Sequence, residues 1–152
     1  MADKIIFLDI DGVLRIPEKE DNWDSSNKLN KCCCAVLKEL LDYSCAFIVL
    51  TSSWRLHDRY MEELRKQFCG YGIFSFRIVG QTDDLTSKIG WSTYEELRWL
   101  EINDYIKRKC VEKYIIIDDL ELSGYDNTHF IKTNITTGLT ASLLKSCIEK
   151  LR

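Results

Sequence analysis

The sequence predicts an α/β fold: a Rossmann-like parallel sheet of about five strands with helices on both faces. Two observations carry this. Lys4 to Leu8, Ala46 to Leu50 and Tyr114 to Ile117 are short apolar runs without polar alternation, the pattern of strands buried on both faces. Between them lie segments whose apolar residues recur at helical spacing, so strands and helices alternate. The 152 residues, 45% hydrophobic and 30% charged, suit a single domain spanning 1–152 with a sizeable core.

In chain order, Lys4 to Leu8 reads as the first strand. Gly12 to Asn30 loses periodicity around Pro17, Asn22, Asp24 and Ser25 to Asn27 and reads as a long loop. Compact domains seldom keep loops beyond ~12–15 residues unless they bind or cover something, so Trp23 and its neighbours are expected over the strand ends as a lid. Cys33, Val36, Leu37, Leu40 and Leu41 form one helical stripe. Ala46 to Leu50 is the second strand. Tyr60, Met61, Leu64 and Phe68 mark a second helix, with Gly70 as its expected C-cap. Phe74 to Val79 reads as a third strand, followed by polar loop from Gly80 to Ser92. Thr93 and Glu96 have capping-box spacing and open a helix to about Lys109. Tyr114 to Ile117 is the fourth strand and Phe130-Ile131 a short fifth. Leu143, Leu144, Cys147, Ile148 and Leu151 stripe a final helix.

Composition excludes several classes. A net charge of −3 rules out a broadly basic face that would hold nucleic acid by charge alone. The strongest apolar stretch, Cys45 to Leu50, falls far short of the ~18 residues of a membrane span. The opening Met1-Ala2-Asp3-Lys4 has no secretory pattern, so a cytoplasmic protein without a membrane or obligate protein partner is expected. The seven cysteines include no C-x-x-C pair, and neither His57 nor His129 lies at ligand spacing from one. Zinc is not expected, and the cysteines read as reduced small core hydrophobes.

Ligands of parallel sheets bind at the carboxyl ends of the strands. Three of these ends carry useful chemistry: Asp9-Ile10-Asp11-Gly12-Val13, Thr51-Ser52-Ser53-Trp54-Arg55 and Asp118-Asp119. Buried together, Asp9, Asp11 and Asp118 would repel one another and lose hydration. A cation resolves that cost, and hard carboxylate oxygens select Mg²⁺. Residues two apart in extended chain point to the same side, so Asp9 and Asp11 are expected to converge on one point. Gly12 lets the backbone turn close to a ligand. Asp9, with a reference pKa near ~3.9, is expected to be ionised and able to attack phosphorus.

These residues resemble the haloacid dehalogenase superfamily of phosphohydrolases. The carriers are D-x-D-G-V at Asp9 to Val13, the hydroxyl of Thr51 after the second strand, and the Asp118-Asp119 pair. The resemblance implies Asp9 as nucleophile, Asp11 as general acid and base, and Thr51 as a donor to a phosphate oxygen. It implies Asp118 as a further metal carboxylate supported by Asp119, so that the metal residues are Asp9, Asp11, Asp118 and Asp119. It also implies a basic residue on the phosphate, Arg98 by first choice and Lys88 as the rival. T-S-S-W-R, R-x-x-E-I at Arg98 to Ile102 and T-G-L-T at Thr137 to Thr140 are similar to the small capless domains related to multidomain RNA-repair proteins. Gly12, Ser52, Trp54, Arg55 and Lys88 are then the expected substrate contacts.

The intervals from Asp11 to Thr51 and from Thr51 to Asp118 are used up by elements of the sheet, so no inserted cap domain is expected and the site should be open. The expected substrate is therefore a phosphorylated polymer end, a nucleic-acid terminus ahead of a phosphoprotein. Arg55, Arg59, Arg98 and Lys88 are its expected local contacts. The alternatives are a general phosphatase of nucleotides or sugar phosphates, and a phosphoacceptor receiver or binding module without turnover. Thr51 stands where a receiver would want its acceptor acid, and the acidic pair comes last, which favours an enzyme that turns over.

Overall fold

A computed structural model describes residues 3–17, 23, 26–90 and 92–152. Five strands, β1 (Lys4–Leu8), β2 (Phe47–Leu50), β3 (Ile78–Gln81), β4 (Lys113–Asp118) and β5 (Phe130–Lys132), form one all-parallel sheet in the order β3-β2-β1-β4-β5. The helices are α1 (Lys31–Ser44), α2 (Asp58–Gly70), α3 (Thr86–Ile89), α4 (Tyr94–Lys109) and α5 (Leu144–Lys150).

The strand runs are continuously apolar because each face has its own core. Ile6, Leu8, Ile48, Leu50, Ile115 and Ile117 pack with the buried stripes of α1, α2 and α5. The alternate residues Ile5, Phe7, Val49 and Ile116 pack on the other face with Ile102 and Tyr105 of α4. One helix therefore covers one face, and it carries charged residues into the sheet edge. From β3 the chain crosses back to place β4 on the far side of β1. The order thus reverses between β1 and β4, which opens a crevice at their carboxyl ends.

Several local expectations are corrected. α2 includes Gly70, and the positive φ falls at Gly72 instead. The third strand begins four residues later than expected and runs through Gln81, because Ser75–Arg77 make a turn of 3₁₀ helix that leaves Phe74 and Phe76 exposed. The expected loop after it contains α3. Only half of the capping box forms. Thr93 accepts from the Glu96 N–H at 3.1 Å, but the Glu96 carboxylate takes the Ser92 hydroxyl. Cys33, Cys34 and Cys147 are buried, while Cys32, Cys45, Cys69 and Cys110 are exposed free thiols, so the core role holds for part of the set. Among the described residues no helix is long and apolar enough to cross a membrane.

Candidate active site

β1 and β4 pair with Leu8 opposite Ile117, and the Asp9 N–H continues the ladder onto the Ile117 carbonyl at 3.2 Å. Asp9, just past β1, therefore faces Asp118, the last residue of β4, with Asp119 beside it. Oxygens of these three carboxylates lie within 4.8 Å of one another. Asp118 is fully buried and Asp9 nearly so. Asp118 Oδ1 accepts the Leu120 N–H at 3.0 Å, and its Oδ2 accepts from the Arg98 guanidinium. Arg98 Nη1 also lies 3.5 Å from Asp9 Oδ1. Arg98 reaches the acids from the second turn of α4, so capping at Thr93 brings it into the site.

Three carboxylates gather where one guanidinium meets two of them, and the surplus charge shows in their titration. Burial, reinforced by the charge of Asp118, raises Asp9 to about 7. Burial and the charge of Asp9 raise Asp119 to about 6, and burial raises Asp118 despite Arg98. Burial alone would depress Arg98, but Asp9 and Asp118 outweigh it and keep the guanidinium charged. The expectation that Asp9 is simply ionised is corrected: without a cation it holds its proton to near neutrality. The donor set fits a hard divalent cation, because a second positive charge is what this oxygen cluster lacks.

Asp11 lines the same cleft, but its carboxylate is not part of that cluster. Oδ1 takes Arg15 Nη1 at 3.0 Å, and Oδ2 faces the Trp54 indole N–H at 3.4 Å. Strand geometry ends at Leu8. Residues 10–15 close a tight turn in which Gly12 N–H donates to the Arg15 carbonyl at 2.8 Å and Val13, Leu14 and Arg15 all donate to Ile10. The two-residue alternation that would align Asp11 with Asp9 has already lapsed there.

Gly12 sits at φ +83°, and a Cβ on it would stand 2.5 Å from Asp119 Cγ, so the close neighbour is the Asp119 carboxylate. Thr133 fixes the same turn by donating its hydroxyl to the Gly12 carbonyl at 2.7 Å. The T-G-L-T segment braces the turn from the other side. Leu139 N–H donates to the Val13 carbonyl at 2.8 Å, and Gly138, at φ +65°, lies so close to Val13 that no side chain fits.

Just past β2, Thr51 buries a hydroxyl with no hydrogen-bond partner among the described residues, as Thr82 does, and it lines the cavity adjoining the acid cleft. Ser52 lines the acid cleft and caps the following turn by accepting from the Trp54 N–H at 3.2 Å. Trp54 is a core residue whose indole faces Asp11, so its expected substrate contact becomes a contact with the acid.

Two expected substrate contacts, Arg55 and Lys88, do not reach the acids, although Arg55 lines the cavity beside them. Arg55 is buried and spends its donors on the carbonyls of Thr82 (2.8 Å), Thr51 and Ser52 (3.0 Å each) and on Glu101 Oε2 (3.0 Å). It holds the β2 and β3 loops together. Lys88 is exposed on α3 and lines none of the cavities at the acids. Arg59 lines a different groove of about 590 Å³ that contains none of the strand-end acids. Of the expected basic contacts, Arg98 alone reaches them.

The acid cleft is about 180 Å³, lined by Asp9, Asp11, Trp23, Ser52, Ser53, Tyr94, Arg98, Asp119 and Leu120. It adjoins a cavity of about 300 Å³ through Ser53, Tyr94 and Arg98, and another of about 490 Å³ through Asp119. The strand ends thus carry an open groove with the acids in the middle. Trp23 of the expected lid lines the cleft with the Arg15 guanidinium 4.7 Å from its ring centre; residues 18–22, 24 and 25 of that lid lie outside the described residues. Sequence reasoning placed Ser53 within the strand-end motif without assigning it a contact, and it missed Tyr94 and Arg15. Only Arg15, four residues from Asp11 and opposite in charge, left a signal.

No curated protein and no solved structure matches the chain. A family model described as the HAD domain in Swiss Army Knife RNA repair proteins matches residues 5–144, from β1 into the first residue of α5, and includes every carboxylate of the cluster. The chain belongs to that family of haloacid dehalogenase domains, whose general kind is the phosphohydrolase.

Proposed function

We propose that the protein is a magnesium-dependent phosphatase that hydrolyses a phosphate monoester through an aspartyl-phosphate on Asp9, with an exposed nucleic-acid end as substrate. The observation that carries this reading is the carboxylate cluster of buried Asp9 and Asp118 with half-buried Asp119, opposed by one arginine, in an open groove.

Asp9, Asp118 and Asp119 would hold Mg²⁺, which supplies the positive charge an anionic carboxylate needs to approach an anionic phosphate. Asp9 forms a bond to phosphorus as the ester oxygen leaves. Asp11 gives that oxygen its proton and then takes one from the water that cleaves the acyl phosphate. Arg15 and Trp54 fix the Asp11 carboxylate. Arg98 and the spare hydroxyl of Thr51 bind phosphoryl oxygens, where negative charge is carried through the reaction.

The groove favours a polymer end over a small ester. Cavities on both sides of the acids let the chain of a substrate continue past the reacting phosphate. With net charge −3 there is no broad basic track, so the contacts are local and terminal. The deciding measurement is kcat/KM with Mg²⁺ for a 3′-phosphorylated oligonucleotide against a mononucleotide and a sugar phosphate. The oligonucleotide is expected to be preferred; equal efficiency on the small esters leaves a general small-molecule phosphatase.

A further inference from the structure

We propose that Trp23 and Tyr94 form a stacking clamp for the base of the nucleotide whose phosphate is removed. The clamp would make a nucleic-acid end, read without regard to which base it carries, the occupant of the cleft mouth. The proposal rests on the phosphatase reading above and adds the part of the substrate that is recognised.

The cleft around the acids holds about 180 Å³, below the ~300–1,000 Å³ of sites that enclose a drug-sized ligand. A phosphoryl group fits among Asp9, Arg98 and Asp119, and the rest of the substrate must lie at the mouth. Two aromatic rings stand there. Tyr94, the first residue of α4, is 81% exposed, and its ring has no aromatic or cationic partner among the described residues. Exposure alone says little, since Tyr43 and Phe76 are also exposed; position is what marks Tyr94. Tyr94 borders both the acid cleft and the adjoining cavity of about 300 Å³.

Trp23 borders the acid cleft from the loop after β1, and the Arg15 beneath its ring also holds Asp11. Asp11 is the group that protonates the leaving oxygen, so Trp23 is tied to the side on which the leaving group departs.

Flat rings at the mouth favour a planar group, which can stack on them, over a sugar hydroxyl array; the charges beside them, Arg15 under the Trp23 ring and the partly exposed Asp11, are paired with each other. Stacking accepts every base, since each has a π-face. A basic track is then unnecessary, in keeping with the net charge of −3.

The test uses Asp9→Asn protein with Mg²⁺, which binds without turnover. It compares a 3′-phosphorylated oligonucleotide with the same strand carrying an abasic terminal residue. The base-bearing strand is expected to bind roughly tenfold tighter, with little difference among the four bases. Adding Tyr94→Ala should bring the ratio to near one, and Tyr94→Phe should keep it, since stacking needs the ring and not the hydroxyl. The kcat/KM ratio of the Asp9-containing protein should follow the same pattern.

Equal binding of the two strands by the parent, or a ratio that survives Tyr94→Ala, overturns the clamp. A phosphotyrosine peptide bound more tightly than the oligonucleotide overturns the nucleic-acid occupant. Base discrimination in binding without any turnover by the Asp9-containing protein supports the clamp and overturns the phosphatase reading. Turnover without discrimination does the reverse.

Discussion

Two clusters of buried charge lie side by side at the carboxyl edge of the sheet, and α4 feeds both. Glu101 meets Arg55 in one, and Arg98, three residues earlier on the helix, meets Asp9 and Asp118 in the other. The first is complete. One guanidinium faces one carboxylate at 3.0 Å, the remaining Arg55 donors end on loop carbonyls, and Glu101 Oε2 also accepts the Leu85 N–H at 3.0 Å. The second is incomplete. Three carboxylates gather there, only Asp9 and Asp118 lie against the Arg98 guanidinium, and a cleft opens onto them. Unpartnered threonine hydroxyls do not separate the clusters, since among the described residues Thr51 and Thr82 each bury one. A buried charge whose bonds are all filled holds loops in place; a surplus of unfilled acceptors beside a cleft is what the proposed metal site would use.

The largest expected effect falls on the incomplete cluster. Asp9→Asn should lower turnover on the order of 10⁴-fold or more while leaving the urea midpoint equal or higher, since it removes a charge that the fold does not neutralise. Asp11→Asn should cost ~10²–10⁴-fold, with the loss greatest for esters whose leaving group most needs a proton. More than a few per cent of metal-dependent activity in Asp9→Asn would remove it as the nucleophile.

Next in size, Arg55→Ala should destabilise by about 3–5 kcal/mol, because buried Glu101 loses the guanidinium it is paired with and the loop carbonyls lose their donor. Urea unfolding measures this. The double change Arg55→Met with Glu101→Leu should recover much of the loss. If Arg55→Ala instead leaves stability intact and raises KM, the two clusters are not different in kind.

A smaller effect separates them by pH. The folded-state pKa of Asp9, about 7, and of Asp119, about 6, are raised above the unfolded value near 3.8. Between pH 4.5 and 7.5 the unfolded chain therefore holds fewer protons than the folded one, and stability must fall as pH rises. The metal-stripped protein should lose about 5–10 °C of Tm across that window. Mg²⁺ should restore it at pH 7.5, where the carboxylates are ionised, and do little at pH 4.5. A Tm independent of pH and Mg²⁺ would mean that the cluster carries no surplus charge. Smallest of all, Lys88→Ala should change kcat/KM less than about 2-fold, as expected of an exposed residue away from bound substrate.

The sheet was legible because strands buried on both faces leave continuous apolar runs, and the acids because they directly follow those runs. That Asp9, Asp118, Asp119 and Thr51 stand at the strand ends follows from sequence order alone. The partners that Arg55 and Asp11 take, and the exposure of Lys88, do not. Arg55 and Arg98 are both arginines beside strand-end motifs, and nothing local says which will meet a single carboxylate that uses up its charge and which will meet a surplus. That depends on how α4 lies across the sheet.

Tyr94 gave no signal because exposure of a ring is a property of its surroundings. Residue order determined the fold class, the strand ends and the acids placed on them, since periodicity and chain direction are local. Tertiary structure alone decided which buried charges are satisfied, because partners distant in sequence, such as Arg55 and Glu101, are brought within 3.0 Å only when the sheet and α4 pack.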